Sequence, residues 1–76
     1  MTDAKLMVLA ERASNELKWD KAKKRGYFRG DPVNAAELVY FAAIRNDEMS
    51  PAASPEEARV LILTIARQME RQVAAP

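Results

Sequence analysis

Glycine and proline divide this chain into three segments that each have the composition of a helix. Only two glycines and four prolines occur in 76 residues, and they stand at Gly26, Gly30, Pro32, Pro51, Pro55 and Pro76. Between them alanine, leucine, glutamate, lysine and arginine predominate, and these residues favour helix. No stretch alternates apolar and polar residues with the period of two that indicates a strand. The sequence therefore predicts a single all-α domain with helices over residues 3–24, 32–46 and 55–73.

Two of the three predicted helices begin with recognisable capping residues. Asp31 precedes Pro32, and Ser54 precedes Pro55. A short polar side chain at the N-cap accepts a free N–H group of the first turn, and proline at the first helical position lacks an N–H that would have no partner there. Glu57 follows Ser54 by three residues, which is the spacing of a capping box.

Each predicted helix has apolar residues at three- and four-residue spacing, which places them on one face. These residues are Leu6, Leu9, Ala10, Ala13 and Leu17 in the first helix, Val33, Ala36, Val39, Tyr40, Ala43 and Ile44 in the second, and Ala58, Leu61, Ile62, Ile65, Ala66, Met69 and Val73 in the third. The second helix is apolar nearly all round, so we expect it to be central in a small three-helix bundle. A core of this size is only marginally sufficient, and we expect self-association to complete it.

Apolar residues also occur outside these main faces. They are Val8 and Trp19 in the first helix, Leu38 and Phe41 in the second, and Val60 and Leu63 in the third. Scattered exposed apolar residues are ordinary on protein surfaces. We favour a second buried surface, because three helices with two apolar faces each cannot turn all of them inward. The predicted partner-binding residues are Val8, Arg12, Trp19, Val60 and Leu63, and a two-fold homodimer is the default arrangement.

Trp19 is the only tryptophan of the chain. A lone tryptophan in a small domain usually anchors a core or an interface, because its large ring gains from burial and its N–H finds a partner there. Its position away from the main face favours an interface. A bend or an early end of the first helix would instead turn it into the core, and the sequence leaves both alternatives open.

Residues 18–29 hold six of the twelve lysines and arginines and only one acid, although the net charge of the chain is +1. Aromatic residues are interleaved with these cations, as in single-strand nucleic-acid binders whose cations contact phosphates and whose rings stack on bases. This alternative nucleic-acid surface comprises Lys21, Lys23, Lys24, Arg25, Tyr27, Phe28 and Arg29. The simpler interpretation is that cations at the end of the first helix complement its dipole and keep the chain soluble. Docking onto an acidic protein surface is a third.

The composition excludes most site chemistry. Cysteine and histidine are absent, which removes disulfides, the usual zinc ligands and the commonest general base. The serines have no histidine to activate them, and no phosphate-binding glycine loop occurs. No apolar run approaches the ~20 residues of a membrane span, and no secretory signal is apparent. We expect a cytoplasmic, non-catalytic protein without cofactor, metal or small-molecule substrate, which acts by binding another macromolecule.

Overall fold

The computed structural model describes residues 3–23 and 31–74 of the chain, with side chains over 4–19 and 31–71. Three helices form the regular structure of this part. The helices are α1 (Asp3–Lys23), α2 (Pro32–Arg45) and α3 (Pro55–Ala74). Both predicted starts at proline are confirmed, and the predicted ends of the second and third helices are within one residue. The predicted end of the first helix at residue 24 lies outside the described residues. The predicted all-α three-helix bundle is confirmed.

The capping residues act much as the sequence indicates. The backbone of Asp31 is extended, and its side-chain Oδ1 accepts a hydrogen bond from the Val33 N–H at 2.9 Å. Ser54 Oγ accepts from the Glu57 N–H at 3.1 Å. The Glu57 carboxylate accepts from the N–H of Ala53 at 3.1 Å, whereas in a capping box it would accept from the N-cap residue itself. The reciprocal contact is therefore shifted by one residue.

The core lies between the three helices. Each helix packs against the other two. The expectation that α2 is the central element is therefore wrong, because α1 and α3 also meet directly and the three helices share the core. The buried apolar residues are Leu9, Ala10, Ala13 and Leu17 of α1, Ala35, Ala36, Val39, Tyr40 and Ala43 of α2, and Ile62, Ile65, Ala66 and Met69 of α3. Tyr40, Ile65 and Met69 are the largest fully buried side chains. The three main faces predicted from the sequence thus form one core.

One residue of the predicted core face lies at the surface. Val33 is exposed because it stands in the first turn of α2, at the edge of the helix packing. Leu6, Ile44, Ala58 and Leu61 are half-buried and pack against the core from its margin. The side chain of Val73 lies outside the described residues.

The end of α2 directs the chain back toward α1. The Asp47 N–H donates to the Ile44 carbonyl at 3.1 Å, and the Glu48 N–H donates to the Ala43 carbonyl at 2.9 Å. These two hydrogen bonds form a Schellman motif, which needs a left-handed residue after the helix and usually has glycine there. Asp47 takes that position with φ of 57°. The following residue, Glu48, thereby comes to face α1.

Two buried hydroxyl groups have no hydrogen-bond partner within the structure as described, the Oγ of Ser14 and the Oη of Tyr40. Leaving a polar group buried and unpaired costs about 1–3 kcal/mol. Ser14 is nearly and Tyr40 fully buried, so neither hydroxyl group is exposed to bulk water.

Candidate interaction site

Six large apolar side chains of the described residues remain substantially exposed. They are Met7, Val8, Trp19, Val33, Phe41 and Val60. Four of them are residues that the sequence places outside the main faces of the helices, and the other two such residues, Leu38 and Leu63, are half-buried. The core therefore closes without full burial of these side chains.

The first exposed surface is one side of α1, formed by Val8, Arg12, Asn15 and Trp19, which we call the α1 face. All four side chains are exposed, and the 3.6-residue turn of a helix places them within an arc of about 60°. Val8 is 48% and Trp19 46% exposed. Trp19 thus does not turn into the core, which was the alternative that the sequence left open.

A groove of about 250 Å³ opens beside the α1 face, between α1 and the loop that follows α2. It is lined by Ala4, Lys5, Val8, Leu9, Arg12, Ala43, Glu48 and Met49. We call it the Val8 groove. Met49 is half-buried and packs against the core, so the loop contributes an apolar wall. The sequence gives no signal for this groove, because its two sides are far apart along the chain.

An ion pair between Arg12 and Glu48 holds one end of the Val8 groove. Arg12 Nη1 donates to Glu48 Oε2 at 2.8 Å and Nη2 donates to Oε1 at 2.9 Å. The hydrogen bonds from Arg12 hold the pKa of Glu48 below its ordinary value, and those bonds also raise the pKa of Arg12. Both side chains are exposed, so salt screens the pair and its contribution to stability is small. Its geometric effect is to keep the loop against α1.

The second exposed surface is a groove of about 610 Å³ between α2 and α3, which we call the α2–α3 groove. It is lined by Asp31, Val33, Glu37, Phe41, Pro55, Ala58, Arg59, Ile62 and Leu63. Phe41 is 44% exposed, and its ring lies edge-on to the ring of Tyr40 with 5.2 Å between the centroids. Val60, on α3, is 61% exposed.

The five predicted partner-binding residues are thus distributed over two helices. Val8 and Arg12 line the Val8 groove, and Trp19 lies two to three turns further along the same face of α1. Leu63 lines the α2–α3 groove instead. The residues of the single apolar patch that the sequence predicted are therefore divided between α1 and α3.

The basic residues of the alternative nucleic-acid surface lie outside what the structure describes. The backbone of α1 includes Lys21 and Lys23, but nothing is described of their side chains. The other residues of this surface lie wholly outside the described residues: Lys24, Arg25, Tyr27, Phe28 and Arg29. The nucleic-acid alternative therefore stays a prediction from the sequence.

Metal-ligating clusters and membrane-spanning helices are both absent from the described parts of the chain. Over residues 3–23 and 31–74, no group of three or more potential metal-ligating side chains comes together. None of the described helices has the length and apolar character to cross a bilayer. No protein-family model, curated protein or solved structure matches the chain.

Proposed function

We propose that the chain is a small, non-catalytic protein-interaction module of the adaptor type, which forms a homodimer and acts by binding another macromolecule. The observation that carries this proposal is that the core closes while apolar side chains stay exposed, Val8 and Trp19 on the α1 face and Val33 and Phe41 in the α2–α3 groove. Exposed apolar patches bordered by polar residues mark interaction sites. A chain without cysteine needs no oxidising compartment, and we propose that it acts in the cytoplasm.

The exposed aromatic residues make association energetically reasonable. An aromatic side chain buries 150–250 Å², so covering the exposed 46% of Trp19 removes roughly 100 Å² from water. At about 25 cal/mol per Å² this stabilises a complex by about 2–3 kcal/mol per ring. Phe41, with 44% of its surface exposed, contributes a similar amount on the second surface.

The α2–α3 groove suits an amphipathic helix of a partner protein. Six of its nine lining residues are apolar, and the charged ones are the acids Asp31 and Glu37 on the α2 side and the base Arg59 on α3. A helix with a row of apolar residues, a basic residue on one side and an acidic residue on the other matches this surface in shape and in charge. Two separate surfaces allow one chain to bind a second copy and a partner at the same time.

Light scattering after size exclusion tests the homodimer. The expected molar mass at high concentration is twice the 8.5 kDa of the chain, and it should fall toward the monomer mass on dilution. A molar mass of one chain at every concentration contradicts the homodimer.

Photo-crosslinking tests the partner surface. A crosslinking amino acid at Leu63, in the α2–α3 groove, should form an adduct with a protein other than this chain in the native cell. Placing the same group at Ser50, which is exposed in the loop after α2, provides the matched control. The Leu63 adduct should disappear when Phe41→Lys is added. Absence of the adduct, or an adduct indifferent to Phe41→Lys, contradicts partner binding at this groove.

Nucleic-acid binding by residues 21–29 is the competing function, and it differs in its salt dependence. Titration of labelled single- and double-stranded oligonucleotides at two salt concentrations separates the two classes. Binding that weakens steeply with salt supports the nucleic-acid function. No binding by micromolar protein at low salt removes it.

A further inference from the structure

We infer that the α1 face is the homodimer interface, and that two copies pack α1 against α1 in antiparallel orientation with Trp19 of each copy in the Val8 groove of the other. This inference rests on the homodimer of the proposed function and names its surface. Its support is the spacing of two residues on α1, the shape of the groove and the order of the charges along the helix.

The spacing of Val8 and Trp19 allows both contacts to form at once. The two residues lie on the same face of α1, and eleven residues of helix separate them by about 16 Å. A two-fold axis perpendicular to α1, which runs between the two copies at the level midway between these residues, brings Trp19 of each copy opposite Val8 of the other. One axis thus generates two identical contacts, as an isologous dimer requires. The axis passes between Arg12 and Asn15, which have no bulky apolar side chain to obstruct close approach.

The Val8 groove is suited to one large apolar side chain. Its volume is about 250 Å³, and Val8, Leu9, Ala43 and Met49 supply its apolar lining. Arg12 lies at the edge of the groove with its guanidinium held by Glu48. A fixed guanidinium stacks favourably on an indole ring. The chain has one tryptophan, and it is exposed on the same face.

The charges along α1 favour the antiparallel orientation. Glu11 and Lys18 are both exposed and lie along the same edge of the α1 face. About the proposed axis, Glu11 of one copy comes within about 3 Å, measured along the helix, of the level of the second copy's Lys18. A parallel two-fold pair would instead place these residues of the two copies on opposite edges of the interface, where no opposite-charge contact between them forms. Opposite charges across an interface select orientation in this way.

Charge reversal at these two residues tests the interface. Each of Glu11→Lys and Lys18→Glu alone creates two like-charge contacts in the dimer, and we expect the dissociation constant to rise about tenfold in low salt. The double variant restores the opposite charges within one chain. An equimolar mixture of the two single variants also restores them, in a heterodimer. Sedimentation velocity should therefore show weak association for each single variant and wild-type association for the double variant and for the mixture.

A pair of valine substitutions tests the groove. Val8→Glu should abolish dimerisation, because it places a carboxylate where the indole ring is to bind. Val60→Glu makes the same change at another exposed valine, on α3, and should leave the dimer intact. Circular dichroism checks that both variants keep their helices.

The possible results distinguish this inference from the proposed function. A wild-type chain that is monomeric throughout overturns the homodimer and this interface together. A wild-type dimer that withstands Val8→Glu and both charge reversals overturns only the α1 interface. Failure of the double variant and of the mixture to recover association, after both single variants have lost it, also overturns the proposed pairing.

Discussion

Two substitutions in α3 should show that burial, and not the number of atoms removed, decides the loss of stability. The substitution that removes fewer atoms should lower the free energy of unfolding more. Ile65 is fully buried, whereas Val60 is 61% exposed. Ile65→Val removes one methylene from the core, which costs about 0.5–1.5 kcal/mol. Val60→Ala removes two carbons that are about two-fifths buried, a loss of about 0.6 kcal/mol at 0.8 kcal/mol per buried carbon. The higher helix propensity of alanine returns about 0.5 kcal/mol, so the net effect should be close to zero.

Urea unfolding followed by circular dichroism measures this difference. For a small domain the free energy of unfolding falls by about 1 kcal/mol per molar urea. The midpoint should therefore fall by about 0.5–1.5 M for Ile65→Val and stay at the wild-type value for Val60→Ala. A loss for Val60→Ala equal to that for Ile65→Val would mean that Val60 belongs to the core. The separation of core from interaction surface, on which the proposed function depends, would then be wrong.

Three further substitutions test local features of the structure. Asp47→Gly should raise the free energy of unfolding by about 0.5–1 kcal/mol in urea unfolding, because glycine adopts the positive φ of this position without the steric cost that other residues meet there. Ser14→Ala should stabilise the fold by about 1 kcal/mol in the same assay, since it removes a buried hydroxyl without a described partner and adds a stronger helix former. Glu48→Gln should make the acid loss of stability shallower. Because Arg12 lowers the pKa of folded Glu48, the stabilisation is fully present above the unfolded value of about 4.3 and is lost as pH falls through the folded pKa. A urea midpoint that follows pH identically in wild type and Glu48→Gln would contradict the ion pair in solution.

The helices could be predicted from the sequence because their signals are local. Asp31 and Ser54 cap α2 and α3 through groups only two or three residues away. The apolar spacing likewise depends only on the 3.6-residue repeat. The apolar spacing alone does not predict burial for Val33. This residue has the correct spacing but is exposed, because it lies in the first turn of α2, at the edge of the helix packing.

The candidate site could be predicted only in part. Exposure of Val8 follows from its position on the helical wheel, whereas for Trp19 that position only favours exposure and the structure decides it. The Val8 groove does not follow from the helical wheel, because Arg12 meets Glu48 across 36 positions of the chain. The contact depends on a left-handed Asp47, and left-handed backbone at this position is normally signalled by glycine. The division of the apolar residues between two grooves depends in the same way on how the helices are arranged.

Iodide quenching of Trp19 fluorescence over a dilution series tests most directly whether a second copy covers the exposed apolar surface. Since Trp19 is the only tryptophan, the signal reports on the α1 face alone. The account predicts a protected indole at high concentration and a quenching constant that rises on dilution, as the dimer dissociates. A Trp19 that iodide reaches equally well at every concentration would contradict the account, because the α1 face would then stay open to water.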